Sequence, residues 1–302
     1  MKKPLMILLL VFLLCFTFSC QKAEEVATEN EAELTTIADN AISVDGVSIA
    51  YDVRGEGKPA IVFVHGWSNN RGVWDAQAKL FSQKYKVTTI DLAGFGDSGN
   101  TRNEWTMEAF GYDVVAVLDK LELENVILVG LSMGAPVVIE AAKLKPSKIS
   151  GIVLVDFLKD IEAVYSQEDI SNADKALMEL VTEPSIEKSE PYFIQNSSEL
   201  AERYVNMIKD VSKIGWSESL RNTWLWCNDK CAESLQNIQA PVVSINADQS
   251  PTNVEAFRKY IPSFQAKIIT GIGHFVPWEA PDEFNRLLEE AVQEFVQMAT
   301  SK

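Results

Sequence analysis

The chain has 302 residues, and its 43 acidic side chains outweigh 27 basic ones to give a formal net charge of −16. This length allows one large domain or two smaller ones, and an apolar fraction of 47% provides ample material for a hydrophobic core. Nucleic acids and anionic membrane surfaces are excluded as partners of such an acidic chain, because binding to phosphate requires a basic surface.

The first predicted element is a signal peptide over residues 1–19. Lys2 and Lys3 precede an apolar run, Leu5–Phe18, which is shorter than the ~20 apolar residues that a membrane-spanning helix needs. A small residue followed by Cys20 resembles the cleavage site of a bacterial lipoprotein. The resemblance implies a lipid on Cys20 and a place in the bacterial cell envelope, periplasmic or surface-facing, with the membrane contacted only through this anchor. An uncleaved anchor or an ordinary signal peptide is the alternative.

A disordered acidic tether is predicted over residues 20–40. Acidic side chains in this stretch far outnumber its single basic one, Lys22, and it contains no aromatic residue. Segments with low hydrophobicity and high net charge do not bury enough apolar surface to offset the entropy lost on folding. The tether would therefore join the lipid anchor to a folded domain that begins at residue 41.

Short apolar strands alternate with amphipathic helices from residue 41 onward, after a hairpin-like turn at Val44–Val47. Wholly apolar runs of this length are typical of strands buried on both faces of a sheet. The strands are predicted at Ile61–Val64, at Val87–Ile90, in the run from Val126 into Gly130 and at Ile152–Val155, and the helices at Val73–Ser82, Met107–Leu121 and Pro136–Lys145.

The alternation of strands and helices stops over residues 158–239, where acidic helical stretches carry scattered large aromatic side chains and no buried strand is evident. Alternation then resumes with a strand at Ala240–Ile245, a helix at Asn253–Tyr260, a strand at Lys267–Ile269 and a closing helix at Pro281–Met298. The pattern predicts an α/β fold in which helices flank a mostly parallel sheet. Its core would comprise residues 41–157 and 240–302, and residues 158–239 would form an all-helical lid over the ends of the strands, where ligands bind in such sheets.

The segment Gly130-Leu131-Ser132-Met133-Gly134 stands between a predicted strand and a predicted helix. In this Gly-x-Ser-x-Gly pattern the serine sits on a tight turn, and the glycines let the chain pass closely. The turn exposes the hydroxyl of Ser132 at the end of the sheet, beside the free N–H groups of the helix start. Ser132 is therefore the predicted nucleophile.

Only two histidines occur in the chain, His65 and His274. A serine nucleophile needs a base, and imidazole exchanges a proton near neutral pH without large tuning. His274 follows Ser132 in the chain, in a glycine-flanked loop before the last helix, so it is the predicted base. His65 precedes Gly66 and is expected to brace its loop, while the backbone N–H groups of Trp67 and Met133 are the predicted oxyanion donors.

Four motifs, in this order and spacing, resemble those of the α/β-hydrolase family. They are His65-Gly66-Trp67, the loop Asp91–Gly99, Gly130–Gly134 and Gly273-His274-Phe275. The resemblance covers residues 42–298 and is closest to the lidded branch of the family, which includes esterases, C–C bond hydrolases and haloperoxidase-like enzymes. It implies a Ser-His-Asp triad without a metal or organic cofactor.

The carboxylate of the triad departs from the family's pattern. The family places its Asp in a Gly-x-x-Asp turn after the strand that begins here at Pro241, and that position could fall on Ser250. Asp248, two residues earlier, is the favoured acid. Asp156, at the end of the preceding strand, is the alternative because some relatives use that location. Either would fix the tautomer of His274 and stabilise its imidazolium form.

The favoured function is a serine hydrolase that cleaves a small ester-like substrate through an acyl-enzyme. The alternatives are a C–C bond hydrolase or a cofactor-free haloperoxidase-like enzyme with the same triad, and a hydrolase-fold binding protein that lacks catalysis. Cys227 and Cys231 lie close together and could form a short disulfide or remain reduced thiols. No metal site is expected at them, because no histidine or second cysteine pair lies nearby. The oligomeric state is left open.

Overall fold

An eight-stranded sheet forms the centre of the fold in the computed structural model, which describes residues 35–209 and 212–300. The strands are, in chain order, β1 (Ile37–Ile42), β2 (Ser48–Arg54), β3 (Ala60–Val64), β4 (Lys86–Ile90), β5 (Val126–Leu131), β6 (Ile149–Val155), β7 (Val242–Ala247) and β8 (Gln265–Ile269). Their order across the sheet is β1-β2-β4-β3-β5-β6-β7-β8. β2 is antiparallel to β1 and β4, and the other neighbouring pairs are parallel. The predicted mostly parallel sheet is confirmed.

The predicted signal peptide and Cys20 lie outside the described residues, as does the tether up to residue 34. The end of the predicted tether differs from the prediction, because residues 37–40 belong to strand β1. Ile37 pairs with Val53 and Asn40 with Ala50, so backbone hydrogen bonds to β2 order a stretch whose composition alone indicates disorder. Composition does not reveal this because an edge strand can keep most of its side chains exposed.

Eleven helices are found in the described ranges. They are α1 (Asp75–Phe81), α2 (Met107–Lys120), α3 (Gly134–Leu144), α4 (Gln167–Thr182), α5 (Ile186–Ser189), α6 (Ser197–Ile208), α7 (Trp216–Asp229), α8 (Cys231–Gln236), α9 (Val254–Arg258), α10 (Val276–Glu279) and α11 (Pro281–Thr300), with 3-10 turns at Arg71–Trp74, Pro146–Lys148 and Glu190–Tyr192. Among the helices so described, none is both long and apolar enough to cross a bilayer.

Helices cover both faces of the sheet. α2 and α3 pack against each other and the sheet, and α1 and α11 form a second packed pair. All residues of β3, β5 and β7 are buried, as expected for strands covered on both sides. Helix α11 approaches β6 so closely that a Cβ at Gly151 would lie 2.1 Å from the ring of Phe295. A side chain at this position would therefore force α11 off the sheet.

The segment between β6 and β7 is a helical insertion, which we define as residues 158–239. Its described residues form α4–α8 and no strand. Helix α7 packs on α2 and α3, and α8 packs on α3. The buried carboxylate of Glu140 on α3 accepts hydrogen bonds from Trp226 Nε1 at 2.7 Å and from Ser234 Oγ at 2.5 Å. These charge-assisted bonds fix the far end of the insertion to the core.

The parallel strands β3 to β8 point the same way, so their carboxyl ends share one edge of the sheet. The loops at this edge contain Trp67 after β3, Ser132 after β5, Asp156 after β6, Asp248 after β7 and His274 after β8. Residues distant in sequence are thereby brought to one place, as the rule for ligand sites in open α/β sheets predicts.

Candidate active site

The loop of Ser132 has the backbone geometry that its motif predicts. Ser132 has a φ of +51°, in the left-handed region that non-glycine residues rarely adopt. A Cβ at Gly130 would lie 2.3 Å from the carbonyl oxygen of Gly134, and a Cβ at Gly134 would lie 2.6 Å from that of Val64. Residues 130 and 134 must therefore both be glycine. The turn between β5 and α3 leaves Ser132 half-buried at the edge of the sheet.

The predicted oxyanion donors lie in two segments that meet at Ser132. Met133 follows Ser132 and precedes the first turn of α3. The loop of Trp67 passes directly beside the turn, since a Cβ at Gly66 would lie 3.1 Å from Ser132 Cβ. No hydrogen bond from the backbone N–H of Trp67 or Met133 to another described residue is found. Both groups are thus free to donate to a ligand.

His65 braces this loop, as the sequence predicts. It is fully buried; its Nε2 accepts a hydrogen bond from Leu92 N at 3.0 Å, and its Nδ1 lies 2.7 Å from the carbonyl oxygen of Gly66. Because Nε2 accepts, Nδ1 carries the proton and donates it to Gly66. Burial lowers the pKa of His65 in spite of the opposing charge of Asp91, so the ring stays neutral.

His274 is paired with Asp156. Its Nδ1 lies 2.7 Å from Asp156 Oδ2. The carboxylate is 2% exposed and the imidazole 36% exposed, so the pair has one buried and one accessible end. Nε2 of His274 has no hydrogen-bond partner within the described ranges, and no hydrogen bond joins it to Ser132. Catalytic bonds of this kind commonly tighten only in the substrate complex.

Asp156 is held by donors on both carboxylate oxygens. Oδ1 accepts a hydrogen bond from Ala247 N at 2.8 Å and forms an ion pair with Lys159 Nζ at 2.8 Å, while Oδ2 contacts His274 Nδ1. Burial by itself would raise the pKa of Asp156, but the hydrogen bonds and charges of His274 and Lys159 outweigh it and hold the pKa below its ordinary value. The carboxylate is therefore ionised at neutral pH.

The favoured prediction of Asp248 as the partner of His274 does not match the structure. The exposed Asp248 continues the pairing of β7 with β8 through a bond from its N–H to the carbonyl oxygen of Ile269, at 3.1 Å. Its Oδ1 accepts a hydrogen bond from Gly271 N at 3.1 Å. Asp248 thus shapes the start of the loop that contains His274, and the alternative residue, Asp156, contacts the imidazole.

The helical insertion contacts both loops of the site. Ser68, next to Trp67, shares a 2.6 Å hydrogen bond with the hydroxyl of Tyr204 on α6. The indole Nε1 of Trp67 donates to the carbonyl oxygen of Trp216 at the start of α7, at 2.8 Å. Burial raises the pKa of Tyr204, so its hydroxyl remains neutral. The loop of Trp67 is therefore fixed to the insertion at two points.

A second set of contacts joins the insertion to the loop of His274. Oε2 of the buried Glu279 accepts hydrogen bonds from Ile194 N at 2.7 Å and Gln195 N at 2.9 Å. Gln195 Nε2 donates to the carbonyl oxygen of Gly271 at 3.0 Å, and the rings of Phe193 and Phe275 lie 4.9 Å apart. Neither Glu279 nor Lys159 was predicted from the sequence. The only local signal for either is a charged side chain three to five positions after a predicted site residue, Asp156 or His274.

Cys227 and Cys231 are free thiols in the structure. Of the two predicted states, the structure therefore has the reduced thiols and not the disulfide. Both are buried, at the end of α7 and the start of α8. Burial raises the pKa of Cys227, and that of Cys231 to about 12. Neither thiol is therefore a reactive thiolate at neutral pH.

Comparisons with known proteins agree with this architecture. A model of the alpha/beta hydrolase fold family matches residues 59–281. The enzyme 3-oxoadipate enol-lactonase 2 of Acinetobacter baylyi is 22% identical over 267 residues, which cover 85% of this chain and 97% of that protein. A thermophilic esterase from Thermogutta terrifontis superposes with a TM-score of 0.71 at 21% identity, over 86% of this chain and 99% of that one. A bromoperoxidase from Bacillus anthracis superposes with a TM-score of 0.69 at 20% identity, over 84% of this chain and 100% of that one. At such identities the solved structures establish the fold.

Proposed function

The chain belongs to the α/β-hydrolase family, and from this premise we propose that it cleaves ester-like acyl bonds with Ser132 as nucleophile, His274 as base and Asp156 as the carboxylate of the triad. The observation that carries the proposal is the 2.7 Å contact between His274 Nδ1 and Asp156 Oδ2. With this nitrogen engaged, Nε2 is the one available to accept a proton.

The reaction would proceed through an acyl-enzyme. Ser132 Oγ attacks the carbonyl carbon and transfers its proton to His274 Nε2, and the N–H groups of Trp67 and Met133 stabilise the oxyanion. Collapse of the tetrahedral intermediate expels the alcohol, which takes the proton from His274. Water then attacks the acyl group and His274 again accepts the proton. When the second tetrahedral intermediate collapses, the bond to Ser132 Oγ breaks, His274 returns the proton to this oxygen, and the acid is released. Asp156 stabilises the imidazolium without taking its proton.

Ester cleavage is supported by the relatives as well as by the site. An enol-lactonase and an esterase are among the similar proteins, and a lactone is a cyclic ester. One of the similar solved structures is a bromoperoxidase, so haloperoxidase-like activity is the alternative to be tested. A panel of esters of graded acyl length, assayed beside monochlorodimedone bromination with peroxide, would separate ester turnover from halogenation.

Labelling with a fluorophosphonate probe tests the proposal directly. The wild-type protein should be labelled at Ser132, because the probe requires an activated serine next to an oxyanion site. Ser132→Ala should abolish both labelling and ester turnover, with unchanged circular dichroism as the control for folding. An unlabelled wild type would contradict the proposed triad and favour a binding protein with a hydrolase fold.

We also propose that the helical insertion acts as a lid and that the protein is exported to the bacterial cell envelope and anchored through a lipid on Cys20. The lid proposal is supported by the hydrogen bonds that join the insertion to Ser68, Trp67 and Gly271. The anchor proposal rests on the basic and apolar sequence that ends at Cys20.

A further inference from the structure

A lysine contacts the carboxylate of the proposed triad. Lys159 Nζ lies 2.8 Å from Asp156 Oδ1, and the two side chains are 15% and 2% exposed. The family resemblance assigns no role to a cation at this place. Long cationic side chains normally extend their charged end into water. Here the ammonium group turns back over the residue three positions earlier and is largely withdrawn from solvent.

The backbone around Lys159 is built for this contact. Asp156 and Leu158 both have positive φ values, +46° and +54°, a conformation that costs energy for residues with a Cβ. The carbonyl oxygen of Lys159 accepts a hydrogen bond from Asn253 N at 2.6 Å, which fixes the segment to the loop after β7. Such strain persists where the surrounding structure determines it, and it is concentrated at functional sites.

We propose that Lys159 is a positioning residue that keeps the buried Asp156 carboxylate ionised and so holds His274 in the tautomer whose Nε2 accepts a proton. This inference rests on the proposed function, because the tautomer matters only if His274 is the base for Ser132. Lys159 itself need not touch the substrate, since it acts through the carboxylate.

The chemical reason is that the protonation state of Asp156 sets the tautomer of His274. An ionised carboxylate accepts a hydrogen bond, so the neutral ring carries its proton on Nδ1 and leaves the lone pair of Nε2 free. A protonated Asp156 would instead donate its O–H to Nδ1, and the neutral ring would carry its proton on Nε2. The base could then not accept the proton of Ser132. Burial favours the protonated acid, and three donors oppose it: His274, Lys159 and the backbone N–H of Ala247. When the imidazole is neutral, the ammonium group of Lys159 is the only one of these three that carries a full positive charge.

Nitrogen-15 labelling of histidine makes the tautomer measurable, because the chain contains only two histidines. In long-range proton–nitrogen spectra of the full folded domain at neutral pH, wild-type His274 should carry its proton on Nδ1. In Lys159→Met we expect a larger fraction of His274 to carry its proton on Nε2 than in the wild type. His65, whose Nε2 accepts from Leu92 N, should keep its signals and serves as an internal reference.

Kinetics of the same variants separate charge from packing. We expect Lys159→Met to lower kcat about 10-fold or more with little change in KM, since a base held in the wrong tautomer can lose up to ~10⁴-fold. Lys159→Arg should restore most of kcat, because it keeps the charge. Lys159→Gln keeps a donor without the charge and should resemble Lys159→Met; it also replaces that variant if Lys159→Met does not fold.

Lys143→Met is the matched control. Lys143 likewise pairs with a carboxylate three positions earlier, Glu140, at 2.5 Å, and that carboxylate is also 2% exposed. This variant should lose stability while both the His274 tautomer and kcat stay as in the wild type. The inference is overturned if Lys159→Met keeps the wild-type tautomer and kcat, or if Lys143→Met changes both as strongly. Absence of Ser132 labelling in the wild type would instead overturn the proposed function and leave the tautomer comparison intact.

Discussion

Two residues of the site, Ser132 and Asp156, share an unusual backbone conformation. Their φ values are +51° and +46°, and each directly follows a buried parallel strand. Backbone strain of this kind costs about 1–3 kcal/mol per residue, so packing elsewhere must offset it. Both side chains lie at the same edge of the sheet, where the proposed mechanism needs its nucleophile and its carboxylate.

The structure predicts a sharp difference between two aspartates. Asp156→Asn should lower kcat by about 10³–10⁴-fold, because the amide can present its NH₂ to Nδ1 and favour the wrong tautomer of His274. Asp248→Asn should lower kcat by less than about 10-fold, since Asp248 only accepts a bond from Gly271 N and an amide oxygen can do the same. Steady-state ester hydrolysis by the purified variants measures both effects.

Fluorophosphonate labelling rates provide a second measurement, because they report the reactivity of Ser132 without the deacylation step. At neutral pH, Asp248→Asn should unfold at the same denaturant concentration as the wild type. Asp156→Asn should unfold at a slightly lower one. A large loss of kcat in Asp248→Asn with a small one in Asp156→Asn would contradict the assignment.

The places of Ser132 and His274 at one edge of the sheet could be predicted from the sequence, whereas the carboxylate beside His274 was named only as the alternative. Ser132 lies within a local motif whose glycines leave one possible geometry, and His274 is one of only two histidines. The direction of a carboxylate after a strand depends instead on register: Asp248 N–H continues the β7–β8 pairing, and its side chain turns to Gly271. No local pattern distinguishes this arrangement from that of Asp156.

At the scale of elements, the helical insertion and the loop of His274 are coupled through Glu279. We expect Glu279→Ala to loosen this coupling, because the N–H groups of Ile194 and Gln195 lose their shared acceptor. Amide hydrogen exchange of residues 192–197 should become at least 10-fold faster, corresponding to about 1.4 kcal/mol or more of lost protection.

Glu283→Ala is the control for this prediction. Glu283 is an exposed glutamate on α11 that pairs with Arg286, and its exposed ion pair contributes little. Exchange of residues 192–197 should therefore remain as in the wild type. If Glu279→Ala leaves exchange in this segment unchanged, the contacts of Phe193 and Gln195 hold the insertion in place without the carboxylate.

Elements with a clear hydrophobic pattern could be predicted from the sequence. Elements held in place by strand pairing or by tertiary contacts were harder to predict. The strands at 61–64 and 126–131 are wholly buried, and their uninterrupted apolar runs reveal them. Strand β1 has mostly exposed side chains and is ordered by its hydrogen bonds to β2, so composition indicated a tether instead. In the insertion, the absence of strands was predictable, whereas the positions of α4–α8 were not.

At the scale of the whole molecule, Asp156 should make stability depend on pH. Its pKa is lowered in the folded protein, so the ionised form stabilises the fold above the unfolded pKa of about 3.9, and this contribution is lost as the pH falls through the folded value. Asp156→Asn should thus be less stable than the wild type at pH 6, and the difference should shrink below about pH 4. Urea unfolding at pH 6, 5, 4 and 3 measures it.

Glu283→Gln supplies the comparison for the pH series. The pKa of Glu283 is also lowered, by its hydrogen bond to Arg286, but this carboxylate is exposed and its interaction is screened by solvent. Its pH-dependent loss of stability should be smaller than that of Asp156→Asn. A difference between wild type and Asp156→Asn that stays constant from pH 6 to pH 3 would show that the carboxylate's charge does not stabilise the fold.

The proposed lipid anchor gives the last prediction for the whole molecule. β1 begins at Ile37, which pairs with Val53 at the edge of the sheet opposite the carboxyl ends of the parallel strands. The 16 residues between Cys20 and Ile37 span at most about 55 Å when fully extended. Cys20→Ser should move the protein from the membrane to the soluble fraction of cell extracts. Cys15→Ser, within the predicted signal peptide, should leave it membrane-bound, and retention of Cys20→Ser in membranes would indicate an uncleaved helix as the anchor.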